Sequence, residues 1–256
     1  FEVFPPKKWE DFPGLYETLD ELKGLHPEFI SCTYGAGGSN SKKTAEIASH
    51  IENELGIRSI AHLTCAALTE DKLLSTIENF KNAGIHSVLA LRGDKPFDMS
   101  EEDFANRQYK HPSEIIPILK KAGFRVAAAC YPEKHEESPN AEQDLLWLKR
   151  KVETGADYAV TQLFYDNNRY FSFVKRAREA GITVPIIPGI KPFSKLSQLT
   201  MVPKTFKVDL PDELAREALK CKTDEEARAL GTEWCIHQCR ELMAGGVPSL
   251  HFSTGG

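Results

Sequence analysis

RSIAHLTCAALTEDKLLSTIENFKNAGIHSVLALRGD, residues 58–94, decides the fold. It opens on a β-branched and apolar run, Arg58 to Cys65, and closes on a second one, Ser87 to Asp94. Between them Leu73, Ile77 and Phe80 fall on one face of a helical period. Gly84 stands where a helix must end in a left-handed turn. Strand, helix and strand at this spacing make one βα unit. Outward in both directions the unit repeats. Further strand-like runs start at Phe1 (FEVFP), Phe29 (FISCTYG), Arg125 (RVAAACYPE), Tyr158 (YAVTQLFYD), Pro185 (PIIPGIKP) and Ser249 (SLHFSTGG). Gly56, Gly123, Gly155 and Gly181 close the intervening helices, and Ala48/Ile51/Leu55, Leu145/Leu148/Val152 and Tyr170/Phe173/Val174/Ala177 give their apolar faces. Eight alternations predict an α/β chain with the (β/α)8 barrel fold, one domain over residues 1–256. In that fold the carboxyl ends of the strands share the face that carries the active site, so polar residues ending these runs are expected to converge.

The composition excludes several classes. The formal net charge of −5, from 32 basic and 37 acidic residues, argues against a nucleic-acid binder. No apolar stretch reaches the length of a membrane span. The first residues read as a strand rather than a signal peptide, and a start on Phe1 without Met is read as a trimmed N-terminus. The six cysteines lack the spacing of a disulfide framework and read as free thiols of a cytoplasmic protein.

The connection from the seventh to the eighth run is longer than the others. Pro211 is expected at a first helical position ahead of Asp212 and Glu213. Thr223-Asp224-Glu225-Glu226 reads as a capping box opening a helix that ends at Gly245-Gly246.

Chemistry gathers at the run ends. Glu2 lies inside the first run. A carboxyl turned into a barrel mouth has a raised pKa and can act as a general acid, whereas a ragged edge would leave it an ordinary surface charge. The Gly35–Asn40 stretch approaches a dinucleotide fingerprint but has Asn40 in place of the last Gly and no acidic partner, so the Rossmann reading fails; what remains is a glycine-rich loop able to approach a flat ligand, or a plain turn. His62 and Asp94 lack a His-x-His partner in the first run, which speaks against a metal hydrolase. Arg92-Gly93-Asp94 as an adhesion tripeptide is chance. Asp144, Leu148 and Lys151 share a helix face. Gln162, within an apolar run, needs hydrogen-bond partners from the protein or from a ligand. Cys235 and Cys239 share a helix face from which His237 is turned away by about 200°, so no metal is expected there.

Taken in order, Phe1-Glu2-Val3-Phe4-Pro5-Pro6, Thr33-Tyr34-Gly35-Ala36, His62-Leu63-Thr64-Cys65, Ala90-Leu91-Arg92-Gly93-Asp94, Tyr131-Pro132-Glu133-x-His135, Asp144 to Lys151, Thr161-Gln162 and Ile187-Pro188-Gly189-Ile190 resemble the methylenetetrahydrofolate reductase family, in its short bacterial form that consists of the catalytic barrel alone. The resemblance implies a flavin, usually FAD rather than FMN, reduced by NADH or NADPH. The flavin then reduces 5,10-methylenetetrahydrofolate to 5-methyltetrahydrofolate by a ping-pong scheme, in the one-carbon metabolism that feeds methionine biosynthesis. It implies catalytic roles for Glu2 as general acid, Asp94 as the carboxylate beside flavin and folate, and Gln162 as a hydrogen-bonding partner of pterin and nicotinamide. Cofactor contacts are implied for Thr33, Tyr34, Ala36, His62, Arg92, Gly93, Asp94, Tyr109, Tyr131, His135, Asp144, Arg150 and Lys151, and substrate contacts for Glu2, Thr33, Asp94, Gln162 and Gln198. Arg92, Arg150 and Lys151 would serve the pyrophosphate. No metal, nucleic acid or membrane is implied; a homo-oligomer or an electron-transfer partner subunit stays open. Two departures stand out. Trp147 replaces an Asn of the bacterial pattern, and the family continues past Gly256 with an Arg-bearing segment that reaches folate. Two other readings remain: a flavin-poor homologue serving as a subunit of a larger complex, and a Schiff-base lyase using Lys191.

Overall fold

The computed structural model describes residues 1–34 and 41–254. All eight expected strands are present: β1 (Glu2–Val3), β2 (Phe29–Cys32), β3 (Arg58–Thr64), β4 (Ser87–Leu91), β5 (Arg125–Cys130), β6 (Tyr158–Leu163), β7 (Ile186–Ile190) and β8 (His251–Phe252). They form one sheet in the order β1-β2-β3-β4-β5-β6-β7-β8, with parallel pairings such as Ser31 opposite Ile60 and Ala61 opposite Val88. Helices α1 (Phe12–Lys23), α2 (Ser41–Ser49), α3 (Glu70–Asn82), α4 (Glu101–Ala105), α5 (Pro112–Lys121), α6 (Ala141–Glu153), α7 (Asn167–Glu179), α8 (Leu196–Phe206), α9 (Asp212–Ala218) and α10 (Asp224–Ala244) fill the connections. This is the connectivity of a (β/α)8 barrel.

The chain packs as two compact units, the first Phe1–Ala128 with Glu153–Asp157 and Thr254–Gly256, the second Ala129–Val152 with Tyr158–Ser253. In the first, Leu73, Ile77 and Phe80 of α3 pack with Leu63, Val88, Ala90 and Val126 of the strands, while Val3, Ile30, Ile47, Ile51 and Leu19 form a smaller cluster around β1 and β2. Asp157 belongs to this unit because its carboxylate accepts the Val126 amide and pairs with Lys120, both at 2.7 Å. In the second, Tyr170, Phe173 and Ala177 of α7 pack with Ala159, Ile186, Ile190 and Leu148.

Helix ends follow the chain's chemistry. The predicted closing glycines Gly56, Gly84, Gly123, Gly155 and Gly181 all have positive φ. Thr223 caps α10 by accepting the Glu226 amide at 3.2 Å, and the Glu226 carboxylate returns to the Lys222 amide at 2.6 Å. Pro211 is the N-cap of α9 rather than its first residue, one position earlier than expected. After α2 the chain passes through a π-helical turn, His50–Glu54, whose Glu52 carboxylate accepts both the amide and the hydroxyl of Ser59.

Candidate active site

β1 is only two residues long, yet it is held on both edges. Val3 accepts the Thr33 amide at 3.1 Å, and the Glu2 carbonyl accepts the Thr254 hydroxyl at 2.8 Å. The fixed backbone leaves the half-buried Glu2 side chain opposite β3, where its Oε2 lies 3.5 Å from His62 Nε2. His62 is 5% exposed. Burial holds its imidazole below the usual histidine range, and the nearby Glu2 carboxylate offsets this only in part. An ion pair would need a protonated imidazole. Nε2 has no hydrogen-bond partner that meets the geometry, so the contact is a neutral ring facing a carboxyl group rather than a salt bridge.

The end of β4 is shaped by its backbone. Gly93 has φ +79°, and a Cβ there would stand 2.7 Å from Thr64 Cβ, so the chain passes β3 where only glycine fits. The half-buried Arg92 donates Nε to the Gly93 carbonyl at 3.2 Å, and Asp94 follows, exposed. Two aromatic candidates of this unit are committed to its core. Tyr34 is buried with its hydroxyl hydrogen-bonded to Thr76 and Ser41; burial pushes its phenol up and those bonds pull it back in part. Tyr109 is buried in the same cluster, its phenol likewise raised, first by burial and then by Glu70 and Glu114. Thr33 follows β2, half-buried. Ala36 and the glycine-rich loop lie outside the described residues.

In the second unit Tyr131 and His135 meet edge to face, ring centroids 4.7 Å apart. The turn between them is braced by Lys134, at φ 82°, whose Nζ donates to the carbonyls of His135 and Ser138 at 2.9 and 2.6 Å. Asp144 is buried and accepts the Ser138 hydroxyl at 2.7 Å. The expected helix face is present: Asp144 and Leu148 are buried and Lys151 is half-buried, with Nζ bonded to the Ala129 carbonyl. Burial lowers the Lys151 ammonium, and Cys130 and Asp144 oppose that shift. Arg150 is exposed on the same helix.

Gln162 is half-buried at a break in the ladder. The β6–β7 register shifts between Val160 and Leu163, and Gln162 Oε1 accepts the Leu163 amide at 2.9 Å. Beside it the Thr161 hydroxyl accepts the Gly189 amide of β7 at 2.8 Å. Gln198, in the first turn of α8, reaches back to the segment before the helix, Oε1 accepting the Ser194 amide at 2.6 Å.

The structure adds residues that the sequence reading passed over. Ser138 seats Asp144. Glu133 accepts the Asp209 amide at 2.7 Å while its other carboxyl oxygen is buried without a partner, and burial raises its pKa. The Ser138–Asp144 spacing is local and could have been found; the Glu133–Asp209 contact spans 76 residues and leaves no local signal. On α10, Cys235 and Cys239 lie side by side and His237 is exposed, as the helical spacing required.

A family model for methylenetetrahydrofolate reductase matches residues 1–254. The chain belongs to the methylenetetrahydrofolate reductase family. The 5,10-methylenetetrahydrofolate reductase of Escherichia coli is 36% identical over 99% of this chain and 84% of its own length. Methylenetetrahydrofolate reductase (NADH) 1 of Arabidopsis thaliana is also 36% identical, but the match covers 45% of that longer protein. The chain thus spans about half the length of the plant relatives it matches. Among solved structures, an uncharacterised protein from Clostridium thermocellum that binds two copies of 5-methyl-5,6,7,8-tetrahydrofolic acid matches with a TM-score of 0.65 and 14% identity, over 99% of this chain and 88% of that one. A 2,3-dimethylmalate lyase matches with a TM-score of 0.56 and 10% identity, over 100% of this chain and 75% of that one. At such identities these two share the fold alone. No helix of the described residues is long and apolar enough to cross a membrane.

Proposed function

We propose that this reductase-family chain converts 5,10-methylenetetrahydrofolate to 5-methyltetrahydrofolate in the cytoplasm, with a resident flavin, FAD in preference to FMN, and NADH or NADPH as donor. The family match across residues 1–254 carries the reading. One feature of the residues present fits a flavin: the buried His62 Nε2 has no hydrogen-bond partner among the described residues. When bound, the flavin would supply hydride in two half-reactions, accepting it from the nicotinamide and delivering it to the folate.

The chain's own groups would do the rest. Glu2, half-buried, is the proton donor to folate N5, so that the five-membered ring opens to an iminium cation. Asp94 supplies a fixed negative charge that stabilises this cation as it develops. Gln162 orients the pterin through its amide, and Arg92, Arg150 and Lys151 supply positive charge and donors for the pyrophosphate. Thr33, Tyr131, His135, Asp144 and Gln198 complete the binding residues of this reading; Tyr34 and Tyr109, whose rings are buried, would serve through their backbone. Six free thiols suit a reducing compartment.

Glu2→Gln tests the assignment. Stopped-flow absorbance should show flavin reduction by NAD(P)H retained and oxidation by methylenetetrahydrofolate slowed by at least about a hundredfold. Unchanged folate turnover would remove Glu2 from the mechanism.

A further inference from the structure

Two thiols stand one turn apart on α10, Cys235 and Cys239, with their sulfurs 3.9 Å apart in an S–H···S contact. They differ from the chain's other cysteines. Cys32, Cys65 and Cys130 are buried in or next to strands, where burial pushes their thiols up, Cys65 and Cys130 to about 12. Cys221 sits alone at the end of α9, its sulfur 3.7 Å from the Glu217 carbonyl. Cys235 is half-buried and Cys239 buried, and the S–H···S contact they share lowers the Cys235 thiol while the same contact, with burial, raises that of Cys239. Cys235, half-buried where Cys239 is buried, is the thiol a dissolved oxidant can reach, and Cys239 is a resolving thiol already in contact with it.

The same turn anchors the chain just after Gln162. Gln238 Nε2 donates to the Phe164 carbonyl at 2.8 Å, and Trp234 Nε1 donates to the Tyr165 carbonyl at 3.1 Å. Asn167 Nδ2 returns to the Gln238 carbonyl at 3.1 Å and to Glu241 Oε2 at 2.6 Å. Two of these hydrogen bonds end on Gln238, between the two thiols, and the other two on Trp234 and Glu241, which flank them, so residues 164–167 are tied to this stretch of α10.

We propose that Cys235 and Cys239 form an oxidisable dithiol, which hydroperoxides close into a disulfide that loosens the segment following Gln162. The Cys235 thiolate attacks the peroxide oxygen, the O–O bond breaks, and hydroxide (or an alkoxide) leaves a sulfenic acid on Cys235. The Cys239 thiol then attacks the Cys235 sulfur, forms the S–S bond and releases water. Two thiols are oxidised, and the peroxide is reduced to two waters or, for an organic hydroperoxide, to one alcohol and one water. On a regular helix, residues four apart have Cβ atoms about 5–6 Å apart. A disulfide needs about 3.5–4.5 Å between Cβ atoms and about 2 Å between sulfurs. Closure must therefore distort the turn by roughly an ångström or more, which hydrogen bonds near their optimum length do not tolerate.

Hydrogen peroxide titration of the whole chain, in a Cys221→Ser background, tests this. Intact mass should fall by about two units, peptide mapping should place the link at 235–239, and amide exchange across 163–168 should rise at least about threefold, all reversed by dithiothreitol. Cys239→Ser should stall as a sulfenic acid on Cys235 that dimedone traps, with no change in exchange. Peroxide that leaves both thiols reduced, or carries Cys235 to higher oxides without the link, overturns the proposal. So does a disulfide that leaves exchange at 163–168 unchanged. None of these readouts depends on reductase activity.

Discussion

His62 is the residue most exposed to consequences of its surroundings. Its imidazole is buried against Glu2, and burial lowers its pKa from 6.5. Between that value and the lower folded one, the unfolded chain binds a proton that the folded chain refuses. Stability is therefore intact above pH 6.5 and is lost progressively as pH falls through the folded value. Urea unfolding at a series of pH values should show this acid-side decline, and His62→Gln should flatten it. An identical slope in the variant would place the proton uptake elsewhere.

At the scale of elements, the capping predicted at Thr223 can be measured directly. Thr223→Ala removes the oxygen that satisfies the Glu226 amide and should cost about 1 kcal/mol in denaturant unfolding. This cap was legible in sequence, as were the strand positions, because each depends on neighbours in the chain: apolar runs, closing glycines, a Thr three residues before a Glu. Elements whose local signal is weak were not. α8 carries Pro203 in its interior, which in isolation reads as a break, and α4 is a five-residue acidic helix capped by Ser100. The candidate site divides along the same line. Glu2, His62 and Gln162 could be singled out because polar groups are conspicuous in strands. Burial of Tyr34 and Tyr109, the bulge at Gln162 and the Glu133–Asp209 contact arise from tertiary packing, which one-dimensional spacing does not encode. Most of the assigned roles came from the order of motifs along the chain, and the geometry now supplies particular partners for several of them.

For the molecule as a whole, a bound cofactor is a stability term. Flavin that binds the folded chain alone adds about 2.7 kcal/mol at a hundred times its dissociation constant. For a chain of this size that corresponds to roughly 5–10 °C in melting temperature. Thermal unfolding with added FAD should show the shift, FMN a smaller one; no shift with either would remove the flavin from the reading. The acidic balance of −5 also has a bearing. Anionic cofactors must be attracted by local cations, so raising salt should weaken FAD binding despite the chain's negative charge.

The bond from Gln162 Oε1 to the Leu163 amide has one more implication. An amide moored by its oxygen becomes a one-sided reader: it offers N–H to whatever arrives and has little left with which to accept. Such a group selects partners rich in lone pairs, and its rotamer is chosen when the chain folds rather than at each encounter. Gln162→Glu would trade the donor for a second oxygen and repel those same lone pairs. Discrimination should suffer even where the backbone around β6 is undisturbed, as a rise in KM larger than that of Gln162→Ala.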